Sequence, residues 1–363
     1  MSEVELTDEQ LAVYQQMRNF AEHDDEKVFT VFGLAGTGKT TLLAKFAREH
    51  AHTCLVTLTG KAASVLHRKT GINAQTIHSF FYRLEEIIRD PKTGKDIDLI
   101  FRRAIGEDEL VAAPLVLLDE CSMVGQELMH DIQRTGARVL ACGDPGQLQP
   151  VKDEAFFLTA NAELQHIHRQ AMDSPIIRQA HRVRQGERYL PDGDAVQLHS
   201  YATTEDFLRA DIMLCFTNDQ RKNLNGMARR LRDIRLPTPQ PGEPVMCRKN
   251  LSAMGLYNGA IYTLLEPFKG GTQTSITIDV DGIPMIVQGV RFEDLPSELE
   301  WPLIETWFSF GYACTVHKAA GSEWPRVTLF DSKQMLRKNA EDRRRWLYTG
   351  ITRAVDSLTI IIA

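Results

Sequence analysis

The sequence predicts an α/β protein of two parallel-sheet lobes, with a small insertion in the first lobe and a small antiparallel β-barrel inserted in the second. Three observations predict it. The first half alternates short β-type apolar runs with helical patterns. A similar alternation begins near Asp211 and resumes at Val327. Between these two stretches lie short runs rich in Val, Ile and Thr, separated by Gly and Asp turns. The 363-residue length suits two or three domains, on a scale of roughly 100–200 residues each.

Taken in order, residues 28–32 read as a buried strand and 40–50 as the helix after it. Residues 54–58, 115–118 and 138–142 are further strands, each ending just before a polar or Gly-rich segment. Ligands of open α/β sheets bind beyond the carboxyl ends of the strands, so these segments are expected to meet at one site. The alternation lapses between Phe81 and Ala113, where 90–95 is a turn signal in a charged stretch. A projecting hairpin is expected there.

Residues 211–216 read as a strand and 218–235 as a basic helix, which the Pro-rich stretch 236–242 interrupts. Residues 245–247, 261–265, 274–280 and 285–290 are the barrel strands. The α/β pattern returns with a strand at 327–330, a helix around 341–348 and a strand at 358–362. The expected domains are therefore 1–165, with 81–113 as the insertion, then 166–242 together with 310–363, and 243–309 as the inserted barrel.

Composition narrows the class. A charge of −6, from 48 acidic and 42 basic side chains, excludes a protein that coats nucleic acid through whole-molecule positive charge. It leaves room for one local basic track. Six cysteines lie singly and far apart, without zinc-site spacing, and fit reduced core thiols. The acidic N-terminus lacks a signal-peptide core. No apolar run approaches the roughly 20 residues that span a bilayer. The expected location is the cytoplasm, or the host cytoplasm if the chain is phage-encoded, without membrane association.

The chemistry begins at Gly33-Leu34-Ala35-Gly36-Thr37-Gly38-Lys39-Thr40, which matches G-x-x-x-x-G-K-[ST] between a strand and a helix. Gly36, Thr37, Gly38, Lys39, Thr40 and Thr41 are the candidate ATP ligands. Backbone amides turned inward at a helix start cradle phosphates, Lys39 reaches the β- and γ-phosphates, and the Thr40 hydroxyl binds Mg²⁺. After the apolar run 115–118, Asp119 is placed to hold Mg²⁺ through water and Glu120 to deprotonate the attacking water.

The stretch 119–123 (DECSM), taken with 143–151 (GDPGQLQPV), resembles motifs II and III of superfamily 1 helicases. The resemblance runs along nearly the whole chain. Residues 6–10 (LTDEQ) look like the segment whose Gln recognises adenine, 59–63 (TGKAA) like motif Ia and 76–80 (TIHSF) like motif Ib. His168-Arg169-Gln170 followed by 174–177 (SPII) is similar to the motif IV region, 315–323 (TVHKAAGSE) to motif V and 347–354 (LYTGITRA) to motif VI. The spelling of motifs Ib, V and VI is most similar to the RecD/Dda branch, superfamily 1B.

This resemblance implies two RecA-like lobes, a strand-separating pin in the insertion, and an SH3-like barrel in the second lobe. It implies a nucleotide held by Gln10, Lys39, Thr40, Asp119, Glu120 and Gln147, with Arg169 and Arg353 reaching the γ-phosphate, and Glu323 in the ATP site. It implies 5′-to-3′ movement on single-stranded DNA, gripped by Thr59, Lys61, His78, Ser79, Phe80, Thr315, His317 and Lys318. Only one of Phe80 and Phe81 is expected to stack on a base. Phe101 is the candidate wedge, with packing of the insertion as the alternative.

The implied partners are single-stranded DNA and duplex junctions, together with single-strand-binding, replication, recombination or repair proteins, and the chain is expected to act as a monomer. Alternatives are an RNA translocase of the same superfamily, an ATP-dependent DNA-binding subunit of a recombination or repair complex and, more distantly, a small-molecule P-loop kinase. Two positions depart from the family pattern. Leu58 stands where relatives often carry Pro, and Ala320 where they commonly carry a Gln that couples the ATP and DNA sites.

Overall fold

The computed structural model describes residues 6–23, 26–50, 52–89, 96–103, 115–150, 153–166, 173–251, 254–271, 274–293, 295, 306–332 and 339–362, with 83–89 and 96–103 as backbone only. The chain divides into two units. One comprises Met1–Leu84, Phe101–Tyr189 and Ala340–Thr352, and the other Glu85–Ile100, Leu190–Asn339 and Arg353–Ala363.

In chain order the first strands are β1 (Val28–Gly33), β2 (Thr53–Thr57), β3 (Ala74–Thr76), β4 (Tyr82–Arg89), β5 (Asp96–Arg103), β6 (Leu115–Leu118), β7 (Arg138–Gly143) and β8 (Ala162–Leu164). Six of them form one sheet in the order β3-β2-β6-β7-β1-β8, with every pair parallel. β4 and β5 pair separately as the two-stranded sheet expected in the insertion. The 90–95 turn and the side chain of Phe101 lie outside the described residues.

In a parallel sheet covered on both faces successive residues of a strand enter opposite cores, so a central strand such as β6, Leu115–Leu118, is apolar throughout. Leu117 and Leu140 enter a core with Val13, Met17, Leu42 and Phe46. Their neighbours Val116, Leu118, Val139 and Ala141 enter the opposite core with Ile77, Phe81, Met129 and Ile132. The helix Asp8–His23, which the sequence reading left unassigned, buries Val13, Tyr14, Met17 and Phe20 at the spacing of one helical face. Arg138 closes its last turn by donating to the carbonyls of Phe20 and Ala21.

The second unit holds β9 (Val196–His199), β10 (Ile212–Cys215), β11 (Pro244–Cys247), β12 (Ile261–Leu264), β13 (Ser275–Val280), β14 (Ile283–Gln288), β15 (Val290–Phe292), β16 (Thr306–Phe310), β17 (Ala313–Thr315), β18 (Trp324–Phe330) and β19 (Ala354–Ile361). β17-β10-β18-β19-β9 make a second parallel sheet. β14-β13-β12-β11-β16-β15 make another sheet, antiparallel except where β15 meets β16. One core joins the two sheets, with Met213, Cys215 and Leu224 packed together with Val245, Ile278, Phe292 and Phe308.

The basic helix stops at Leu231, short of the residue 235 expected from sequence. The chain turns at Asp233, whose φ of 56° ends helical geometry. Its buried Arg229 then ties down the Pro-rich stretch. It pairs with Glu243 at 2.7 Å and donates to the carbonyls of Leu236 and Thr238 at 2.7 and 2.9 Å.

Candidate nucleotide site and nucleic-acid interface

β7 lies between β6 and β1 in the first sheet, with Leu118 level with Ala141 and Phe32 level with Gly143. This register brings three carboxyl-end segments together: the loop after Gly33, the pair Asp119-Glu120 and the turn after Gly143.

The loop takes its shape from its glycines. Gly36 and Gly38 sit at φ 85° and 81°, in the left-handed region that disfavours a Cβ. Gly33 is required by space instead, because a Cβ there would come within 2.5 Å of Thr37 Oγ1. Thr37 Oγ1 donates to the Leu34 carbonyl at 2.9 Å. Lys39 Nζ donates to the carbonyls of Gly33 and Leu34 at 2.8 and 2.9 Å. The helix Lys39–Glu49 begins after Gly38 without a side-chain cap, which leaves its first amides to an anion.

Thr40 Oγ1 donates to Asp119 Oδ2 at 3.1 Å. Burial pushes the Asp119 carboxyl up, opposed by the Lys39 charge, the Glu120 amide and the Thr40 hydroxyl. A hydroxyl beside a buried carboxylate that is short of positive charge fits a small hard cation, so Thr40 and Asp119 are suited to Mg²⁺. Glu120 has φ 56°, an uncommon geometry for a residue with a side chain. Such an outlier at a strand end suits a group aimed at a site. Cys121 and Cys142 are fully buried, and burial raises both thiols, which makes them packing groups.

Gln10 is buried and spans the loop's foot. Its Nε2 donates to the Thr37 carbonyl at 3.2 Å and its Oε1 accepts from Thr7 N at 3.1 Å. Gly36 and Thr41 are exposed at the mouth of the loop.

The turn after Gly143 is anchored by Asp144, which is fully buried. Gln147 N donates to its carbonyl at 3.0 Å, and Gly146 N to its Oδ1 at 2.9 Å. The helix Ala340–Ile351 of the same unit reaches this turn and the phosphate loop together. Tyr348 Oη donates to Asp144 Oδ2 at 2.6 Å and accepts from Ala35 N at 2.9 Å, and Thr349 Oγ1 accepts from Leu148 N at 3.0 Å. Tyr348 and Thr349 lie within 347–354, where local pattern alone does not distinguish them. The available signal was a tyrosine in an otherwise apolar run, since a buried hydroxyl needs a partner.

The candidate DNA contacts of this unit arise from adjacent strands. β2 and β3 pair with Thr57 level with Thr76, so the segments after them emerge side by side. Thr59 caps the helix Gly60–Thr70 by accepting from Ala62 N at 3.2 Å, with Lys61 half-buried in its first turn. Thr76 and Ser79 form a reciprocal capping box around the short helix Ile77–Phe81. His78 stacks on Tyr82 at 5.5 Å. Phe81 is buried in the core, whereas Phe80 is partly open, so Phe80 is the one of the pair with a face to offer.

In the second unit β17 ends at Thr315, which is nearly buried, followed by His317 and Lys318 on the short helix Val316–Ala319. Lys318 Nζ donates to Asn258 Oδ1 at 3.0 Å, so the β11–β12 loop supports the lysine. Burial lowers the pKa of His317; burial, and then the charge of Arg248, lowers that of Lys318. Arg353 is buried, and its Nη1 donates to the Ser322 carbonyl at 3.2 Å beside the exposed Glu323. Arg169 lies outside the described residues.

A family model described as an AAA domain matches residues 5–204, and a UvrD-like helicase C-terminal domain matches 310–361. The first covers more than half of the chain. The chain belongs to the AAA-domain family, as a RecD-type helicase of superfamily 1B.

Its relatives include the ATP-dependent RecD2 DNA helicase of Deinococcus radiodurans, 29% identical over 97% of this chain and 48% of that protein. Another is the conjugal transfer protein TraA of Rhizobium radiobacter, 24% identical over 98% of this chain and 32% of that protein. The chain thus spans about half or less of the length of these curated relatives. Among solved structures, Pif1 helicase from Bacteroides in complex with ADP-AlF3 and ssDNA superposes with a TM-score of 0.63 at 19% identity, over 99% of this chain and 92% of that one. Pif1 helicase from Candida albicans superposes with a TM-score of 0.57 at 19% identity, over 99% and 94%. These structures share the fold. Among the described residues, no helix of this superfamily 1B chain is long and apolar enough to cross a membrane.

Proposed function

We propose that the chain is an ATP-dependent DNA helicase, moving 5′-to-3′ on single-stranded DNA and opening duplex at junctions. The observation that carries this reading is the cluster after the first sheet. A phosphate loop closed on Lys39 lies beside a Thr40–Asp119 pair made for a cation, with Gln147 held on the next turn.

In the reaction Lys39 exchanges the Gly33 and Leu34 carbonyls for the β- and γ-phosphates, while Gly36, Thr37, Gly38 and Thr41 line the loop. Thr40 and Asp119 would hold Mg²⁺, which would neutralise charge on the phosphates when bound. Glu120 accepts a proton from water as that water attacks the γ-phosphorus, leaving ADP and inorganic phosphate. Arg169 and Arg353 supply positive charge to the transferred group, and Gln147 orients it. Gln10 contacts adenine and supports the loop through Thr37.

Thr59, Lys61, His78, Ser79, Phe80, Thr315, His317 and Lys318 grip the strand through phosphates and one stacked base, without reading sequence. The setting is cytoplasmic replication, recombination or repair. The chain acts as a monomer, and single-strand-binding, replication or recombination proteins are its partners.

The test is an ATPase and unwinding assay on DNA and RNA duplexes with 5′ or 3′ tails. Single-stranded DNA is expected to stimulate hydrolysis, Lys39→Ala to abolish it, and only 5′-tailed DNA to be opened. ATPase activity indifferent to both DNA and Lys39 overturns the motor, opening from 3′ tails alone overturns the direction, and preference for RNA tails overturns the track.

A further inference from the structure

The last six residues of the helix Ala340–Ile351, from Trp346 onward, are all buried, and Tyr348 exposes no surface at all. Its hydroxyl is satisfied twice, by Asp144 and by the Ala35 amide. Peptide planarity gives the direction of the second bond. In a trans peptide the carbonyl and the following N–H point opposite ways. The Leu34 carbonyl accepts from Lys39 Nζ and Thr37 Oγ1, toward the inside of the loop. The Ala35 N–H therefore leaves on the outer face. Tyr348 grips the loop from behind and takes no amide that a phosphate requires.

Asp144 extends this grip to the Gln147 turn through its carbonyl and its Oδ1, and Thr349 adds the bond to Leu148 N. The node is tightly packed: a Cβ on Gly146 would lie 3.3 Å from Tyr348 Cε1 and 3.2 Å from Arg184 Cδ. Two consecutive side chains of one helix thus tie together the two loops that carry Lys39 and Gln147.

We propose that Tyr348 is a positioning residue of the nucleotide site, whose hydroxyl holds the Leu34–Ala35 peptide and the Asp144–Leu148 turn in one register. The proposal rests on the reading of residues 33–40 as that site. It predicts a loss in nucleotide handling that a purely structural hydroxyl would not produce.

Tyr348→Phe removes only the hydroxyl. Tyr14→Phe, on the helix Asp8–His23, removes a hydroxyl that donates to Glu49 at the far end of the helix Lys39–Glu49 and is the control. Both are made in the full chain and read by thermal midpoint, by affinity for a fluorescent ADP analogue, and by kcat and KM for ATP with oligothymidylate present. Loss of the hydroxyl's two buried hydrogen bonds is expected to raise KM and weaken ADP by roughly fivefold to tenfold or more in Tyr348→Phe. Tyr14→Phe is expected to keep wild-type KM and ADP affinity, whatever its thermal midpoint. A Tyr348→Phe protein of lower thermal midpoint with unchanged KM and ADP affinity overturns the proposal alone. A wild-type chain that binds no ADP analogue overturns both it and the nucleotide site. Should Tyr348→Phe fail to fold, Asp144→Asn, which keeps the shape of the node, is expected to raise KM in the same direction; an unchanged KM there overturns the proposal.

Discussion

Gly33→Ala tests the steric logic of the phosphate loop. Gly33 has no left-handed φ, so its backbone accepts alanine, and the objection is one of space. The new Cβ would lie 2.5 Å from Thr37 Oγ1, 3.1 Å from Leu164 Cβ and 3.2 Å from Lys39 Cγ. Thr37 must move, and its bond to the Leu34 carbonyl goes with it. That bond is worth about 1 kcal/mol, and crowding a packed site costs about 1–3 kcal/mol more. The stiffer unfolded chain returns about 0.4–1 kcal/mol. The net destabilisation is about 1–3.5 kcal/mol.

Thr37→Ala alone should cost about 1 kcal/mol through the lost hydrogen bond. The double variant removes the clashing oxygen, so it should be no less stable than Gly33→Ala despite carrying both changes. Urea unfolding of the four proteins measures the cycle, and the affinity for the ADP analogue should follow the same order. Strictly additive losses, with no coupling between 33 and 37, would refute the reasoning.

Three further outcomes follow from particular contacts. Arg229→Met leaves Glu243 buried and without its guanidinium, so urea unfolding should show a loss of about 3–5 kcal/mol; a loss within about 1 kcal/mol contradicts the role assigned to that pair. Asp119→Asn weakens the cation pair with Thr40 while keeping its shape, so magnesium titrations of ATPase activity should shift to higher concentration, and an unchanged midpoint counts against that site. Burial holds the folded-state pKa of His317 below its ordinary 6.5. The unfolded chain therefore takes up the proton first, and this part of the stability is present above pH 6.5 and lost as pH falls toward the lowered folded value. His317→Gln should lose less thermal midpoint than wild type between about pH 7.5 and 5.5, and equal losses contradict the assignment.

Local pattern made much of this molecule legible. The short, largely apolar runs at 28–32, 115–118 and 138–142 read as strands buried on both faces, and the structure places them in adjacent strands of one sheet. Glycine spacing marked the phosphate loop, because left-handed backbone at residues 36 and 38 and close approach at 33 each exclude other side chains. Short elements were harder. β3 and β8 have three residues each, too few to show a period. The end of the basic helix also escaped, because Asp233 rather than Gly or Pro makes the turn.

The sequence by itself determined the strand–loop–helix of the phosphate site, the acidic pair after β6 and the family to which the chain belongs, since each motif is spelled by residues close together along the chain. Tertiary structure alone decided which distant residues share a hydrogen bond. Tyr348 meets Ala35 across 313 positions and Asp144 across 204, and Lys318 meets Asn258 across 60. No periodicity carries such pairings. They arise because packing fixes where helices and loops end, and a buried hydroxyl or amide then bonds to whatever polar group the fold has placed there.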